Sequence, residues 1–252
     1  MRKKTTDHGR QATTRDRRAG AARSVVRGPW SVVLLLLLAA LVAGPALAQP
    51  HEVTIARVQY GGGGDWYSGD PLPGLIAYAR QHTLLDLDPE PATVELTNDN
   101  LFRYPFLYLN GHGNVFLTAR EAERLRRYLE GGGFLYINDD YGLDEAVRRE
   151  LRKVFPDQEL TLLPASHPVY HVHFDFPDGL PKIHEHDGKP AQGYGLFDED
   201  GRLCVFYAYE SDLADGWEAA EVHNDPPEVR ERALRMGVNL LVYAMTYGRV
   251  SS

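Results

Sequence analysis

The chain has 252 residues, with 27 Lys and Arg against 35 Asp and Glu. Nine of those basic residues and only two of the acids lie in residues 1–28, so residues 49–252 hold 18 basic and 33 acidic groups, a net charge of −15. That charge repels phosphate backbones and anionic lipid, and no nucleic acid partner is expected.

The basic N-terminal stretch runs into eighteen mostly apolar positions, Trp30 to Leu47, and closes on Ala46-Leu47-Ala48. Basic flank, apolar core and small-residue exit spell a secretory signal over residues 1–48, cleaved after Ala48. Residues 49–252 are then one exported domain, periplasmic or extracellular. A spanning helix wants about 20 apolar residues, and Gly44 and Pro45 interrupt this run. A membrane association is expected only through an uncleaved signal.

The domain opens with a β-branched strand, Val53 to Tyr60, followed by Gly61 to Gly64 and Asp65-Trp66-Tyr67. The glycine run lacks the G-x-G-x-x-G spacing of a dinucleotide site. Leu72 to His82 has helical periodicity, and Val94 to Leu96 is a short strand. Phe106 to Leu109 is an apolar strand ending in Asn110-Gly111-His112-Gly113. Thr118 and Glu121 form a capping box for the next helix, stopped by Gly131 to Gly133. Phe134 to Ile137 is another buried strand, ending in Asn138-Asp139-Asp140-Tyr141-Gly142. A helix from Leu143 to Phe155 ends at Pro156.

After Leu160 the pattern changes to extra strands and long loops. His171 to Phe176 and the stretch around Arg202 to Tyr209 alternate like strands, partly antiparallel. The one cysteine, Cys204, lies among apolar neighbours, so no intrachain disulfide can form and an inert, buried thiol is expected. A long C-terminal helix begins after Asp225 and ends at Gly248, with Val229, Ala233, Met236, Leu240, Ala244 and Tyr247 on its core face. Strand–helix alternation predicts a mostly parallel sheet with helices on both faces.

Ligands of such sheets bind beyond the carboxyl ends of the strands. The turns after three strands, Gly61–Tyr67, Asn110–Gly113 and Asn138–Gly142, fall there. The expected pocket residues are Asp65, Trp66, Asn110, His112, Asp139, Asp140, His167 and Asp212. His112, between two glycines, is a candidate base, ligand or donor. Of Asp139 and Asp140, adjacent and diverging, one should face the pocket and one should cap the following helix. His171, His173 and Asp175 would share one strand face, a loose arrangement for zinc. The spacing matches no short zinc motif, and no cofactor is expected.

Four stretches together resemble an uncharacterised bacterial family, domain of unknown function 4159. They are Tyr60 to Trp66, Tyr104 to Gly113, Gly131 to Leu135, and Asp212 to Glu218. The resemblance covers nearly all of residues 52–248. It implies a flavodoxin-like three-layer α/β/α sandwich, similar to the class I glutamine amidotransferase-like and trehalose-utilisation-like proteins, in a bacterial envelope setting. The turn that bears the amidotransferase nucleophile corresponds to Asn138–Gly142, which holds no Cys or Ser. The expectation is therefore a non-catalytic envelope module that binds a small ligand or an envelope protein. The alternative is a hydrolase using His112 with Asp139 or Asp140, with or without a metal.

The exported form should begin at Gln49. N-terminal sequencing checks this; recovery of residues 30–47 in a membrane fraction would show an anchor instead.

Overall fold

The computed structural model describes residues 53–247. The expected signal segment, its expected cleavage site and the expected helix stop at Gly248 lie outside the described residues. Seven strands form one sheet: β1 (Ala56–Gln59), β2 (Ala92–Glu95), β3 (Phe106–His112), β4 (Phe134–Tyr141), β5 (Thr161–Leu162), β6 (Gln192–Phe197) and β7 (Leu203–Tyr209). Their order is β2-β1-β3-β4-β7-β6-β5. The first five are mutually parallel, and β6 and β5 continue antiparallel. Chain order reverses between β1 and β3, where doubly wound sheets open a crevice.

Helices cover both faces and make three layers. Helix α1 (Leu72–His82) and the 21-residue α5 (Pro227–Tyr247) pack on one face, while α2 (Ala119–Glu130) and α3 (Asp144–Val154) cover the other; α4 (Ala220–His223) is a single turn. Strand alternation divides the core. Phe106, Tyr108, Phe134, Tyr136 and Phe206 join the α1/α5 side, and Leu107, Leu109, Leu135, Ile137 and Val205 the α2/α3 side. Both layers bury mainly apolar side chains, as expected for parallel strands covered on both faces. Among the described residues no helix is long and apolar enough to cross a membrane.

Local chemistry fixes the start of α2. Thr118 Oγ1 accepts from the Glu121 amide and the Glu121 carboxylate from the Thr118 amide, so the expected capping box is present. Cys204 is fully buried, its thiol pushed up to about 12 by burial. Helix α5 is buried on several sides over its second half. Its Gly237 leaves room for Trp217, since a Cβ there would stand 2.8 Å from the indole.

Several expectations need correction. β3 and β4 do not stop at Leu109 and Ile137. They pair onward, Asn110 with Asn138 and Gly111 with Asp139. Residues 171–176 form no strand but an irregular segment after the short 3-10 turn Pro168–Tyr170. There the Phe176 amide bonds the Tyr170 carbonyl, and Asn239 of α5 takes both the amide and the carbonyl of Phe174. These local and helix-borne partners replace a sheet ladder. Strand β6 is one of the extra, antiparallel strands expected after residue 160, although its glycine-rich stretch Gln192–Phe197 was not singled out. The C-terminal helix starts at Pro227, and Asp225 Oδ2 is buried without a hydrogen-bond partner; Tyr247 is exposed although it stacks on Tyr243.

One buried acid ties α3 to the β3–α2 connection. Glu150 accepts from the Leu117 amide at 2.8 Å, Lys153 Nζ at 2.5 Å and Arg149 Nε at 2.7 Å. Burial opposes its charge, but the Lys153, Leu117 and Arg149 bonds outweigh it and hold the carboxyl below the usual glutamate range. A folded-state value below the unfolded one contributes stability above the unfolded value and loses it as pH falls through the folded value. Glu150→Gln should therefore lower stability at neutral pH and flatten the acid limb of a stability–pH curve; urea denaturation from pH 7 to pH 3 checks both.

Candidate functional site

A cleft of about 620 Å³ opens beyond the carboxyl ends of β1, β3, β4 and β7. Its walls come from five places in the chain: Ser68 to Pro71 after β1, Asn110 and His112 of β3, Asp140 and Tyr141 of β4, His184 to His186 before β6, and Asp212 to His223 after β7. The glycine turns make this convergence possible. Gly111 has φ +154°, and a Cβ there would stand 2.0 Å from the Tyr60 hydroxyl, which donates to the Asn110 carbonyl. Only glycine lets β3 pass so close to the end of β1.

A β-bulge sorts the two adjacent aspartates. Register shifts between Gly111 and His112, so Gly111 faces Asp139 and His112 faces Tyr141, leaving Asp140 as the extra residue. Bulges re-aim side chains in this way. Asp139 points into the α2/α3 layer, where it accepts from the Leu143 amide at 2.9 Å and the Tyr207 hydroxyl at 3.0 Å. Burial pushes its carboxyl up, against those two bonds. It holds the start of α3 and is removed from the catalytic candidates. Asp140 points into the cleft, 3.2 Å from His112 Nδ1.

Asn138 is the node beneath. Fully buried, its Nδ2 donates to Asn110 Oδ1 at 2.9 Å and Asp212 Oδ1 at 2.8 Å, and its Oδ1 accepts from the Tyr136 hydroxyl at 2.7 Å and the Ala214 amide at 3.3 Å. One amide thus joins β3, β4 and the segment after β7. That segment is also pinned by Trp217, whose indole donates to the Ala233 carbonyl of α5 at 2.8 Å. Within it Glu210 and Asp212 have φ of +57° and +52°. Left-handed conformations at non-glycine residues cost energy and collect at functional sites.

Three carboxylates meet at the floor. Asp140, Asp212 and Asp215 each offer an oxygen, and these oxygens lie within 4.8 Å of one another. Burial, then the charges of Asp215 and Asp140, push Asp212 well above the usual carboxylate range. Burial also pushes Asp215 up to about 6, against the pull of His223 and His184. Histidines ring this floor: His184 Nδ1 is 3.1 Å from Asp215 Oδ2, His223 Nε2 is 3.3 Å from Asp215 Oδ1 and 2.7 Å from Glu218 Oε2, and His186 Nε2 is 3.5 Å from Asp212 Oδ2.

Asp65 stands at the rim, 3.9 Å from His112 Nδ1. Trp66 instead packs against the α2/α3 core layer. His167 is outside the cleft: its Nδ1 accepts from the Val169 amide at 3.2 Å and its ring lies against Phe197 and Tyr243. His171 and His173 do not converge. His171 bonds Asp175 and the Ala165 carbonyl, while His173 packs edge-on to Phe174. Missed from the candidate set were Asp215, Glu218, His184, His186 and His223. Asp212, Asp215 and Glu218 recur every three residues, a spacing that a 3-10 turn stacks on one side.

The cleft's parts should separate in stability. His112→Ala, at a half-exposed side chain, should change unfolding free energy by less than about 1 kcal/mol. Asn138→Ala strands several buried partners and should cost about 2–4 kcal/mol. Urea denaturation of both variants checks the contrast.

No curated protein matches the sequence. A family model described as Domain of unknown function (DUF4159) matches residues 54–245, and the chain belongs to that family.

Proposed function

We propose that the cleft is a hydrolytic site in which water is the nucleophile. The observation that carries this reading is the convergence of the His112–Asp140 pair with Asp212 and Asp215 in one open cleft. No cysteine lines the cleft. Cys204 is fully buried within the α2/α3 core layer, and Ser68 is the one hydroxymethyl side chain on the wall. Ser211, next to Asp212, is buried and donates to the Pro181 carbonyl at 2.6 Å.

In this reading Asp140 holds the imidazole through Nδ1, which leaves Nε2 for a water in the cleft. A water O–H bond breaks and its proton passes to His112. The water oxygen bonds the electrophilic carbon, and the bond to the leaving group breaks with its electron pair on that group. His112 returns the proton to the departing atom, so the net change is addition of one water. The acidic lining favours neutral or cationic substrates over phosphate esters. The setting belongs to the proposal too: an exported protein acting on a small neutral molecule outside the cytoplasm.

The test uses p-nitrophenyl acyl esters and glycosides as probes. Turnover should occur with at least one, and His112→Ala should lower kcat by about 10²–10⁴-fold at an unchanged melting temperature. A ligand held in the cleft without chemical change, with no probe hydrolysed, would establish a binding module instead.

A further inference from the structure

We infer that the floor of the cleft is a binding site for one divalent transition-metal ion, of zinc or manganese type, held by Asp140, Asp212, Asp215 and His186. Two independent observations meet here. The first is the trio of carboxylates, whose oxygens lie within 4.8 Å of one another. The second is His186. Its side chain is only 4 % exposed, it lines the same cleft, and its Nε2 has no hydrogen-bond partner although it sits 3.5 Å from Asp212 Oδ2. A buried imidazole nitrogen without a partner is uncommon and calls for a ligand.

The three carboxylates already stand close enough to share an ion, and His186, close to Asp212 alone, would complete the set by a small shift toward Asp140 and Asp215. Donors about 2.1 Å from a tetrahedral ion stand about 3.4 Å from one another. Oxygens as far apart as 4.8 Å would therefore draw in by up to about 1.4 Å, the scale of a side-chain rotation. The 3.5 Å between His186 Nε2 and Asp212 Oδ2 already matches neighbouring ligands on one ion. Supporting bonds are in place as well. Asn138 Nδ2 holds Asp212 Oδ1, His112 faces Asp140, and His184 and His223 face Asp215. Such outer partners orient ligating groups.

Ligand chemistry narrows the ion. Three hard oxygens alone would suit magnesium or calcium, but an imidazole donor shifts preference toward zinc or manganese. The site is separate from His171 and His173, which are engaged elsewhere. It shares the cleft with the hydrolytic reading but stands without it, since ion binding is measured without any substrate.

The test is calorimetric titration of the chelator-stripped, tag-free chain with Zn²⁺ and Mn²⁺, beside Mg²⁺ and Ca²⁺, with a melting curve for each. One equivalent of Zn²⁺ or Mn²⁺ should bind and raise the melting temperature, at least tenfold more tightly than Mg²⁺. His186→Ala should weaken that binding at least tenfold, and Asp212→Asn should abolish it. Asp215→Asn serves as a second carboxylate variant should Asp212→Asn fail to fold. Absence of saturable binding by either ion would overturn the inference. So would binding that survives in His186→Ala and in a folded carboxylate variant, because the ion would then sit on surface histidines. Ion binding without turnover of any probe would leave this site standing and remove the hydrolytic reading; turnover of a probe with no saturable ion binding would do the reverse.

Discussion

Three closely spaced carboxylates at the end of a parallel sheet, Asp212 fully buried among them, are the constraint around which this domain is arranged. Two unit charges 4–5 Å apart repel by roughly 3–4 kcal/mol at an effective dielectric near 20. Asp140, Asp212 and Asp215 stand that close, and burial lifts Asp212 and Asp215 away from their ordinary carboxylate behaviour. A fold does not gather such groups for its own stability. Something in the surrounding structure must hold them together against repulsion.

That restraint comes from two directions. From the sheet, Asn138 and Asn110 continue the face of Tyr136 and Tyr108, and their amides bond each other and reach Asp212 and Asp140. From the helical layer, Trp217 is clamped between the aromatic face of the sheet and α5, its ring centroid 5.4 Å from that of Tyr136. The segment between these anchors carries Glu210 and Asp212 in left-handed conformations. Glu210 is itself fixed by Lys182 at 2.9 Å, on the segment that bears His184 and His186. The packing of the core therefore sets the geometry of the cleft, and displacement of Trp217 would move the acids that follow β7.

Much of this was legible in the sequence. Strand–helix alternation gave the parallel part of the sheet, and the topology of such sheets gave the edge where the turns after β1, β3 and β4 meet. The adjacency of Asp139 and Asp140 implied opposite directions, although only the bulge opposite His112 decides that Asp140 faces the cleft. Hidden was the contribution of residues 184–223. His184 and His186 lie on a long segment of no periodicity, and their place depends on the Ile183 and His184 amides bonding the Ser211 carbonyl. Asp215 and Glu218 sat in a short stretch with several Ala and one Gly that reads equally as a surface turn. The alternation of residues 171–176 misled because apolar side chains anchored to α5 mimic a strand's period.

If the carboxylate trio is held for function, it should cost stability when no ion is bound. The most direct measurement is the urea midpoint of Asp212→Asn beside the parent chain, at neutral pH in chelator. The substitution keeps shape and still accepts from Asn138 while removing one acid from the trio. A midpoint raised above the parent's is expected. A midpoint several tenths of a molar lower would show that Asp212 serves the fold and would contradict a site built at the fold's expense.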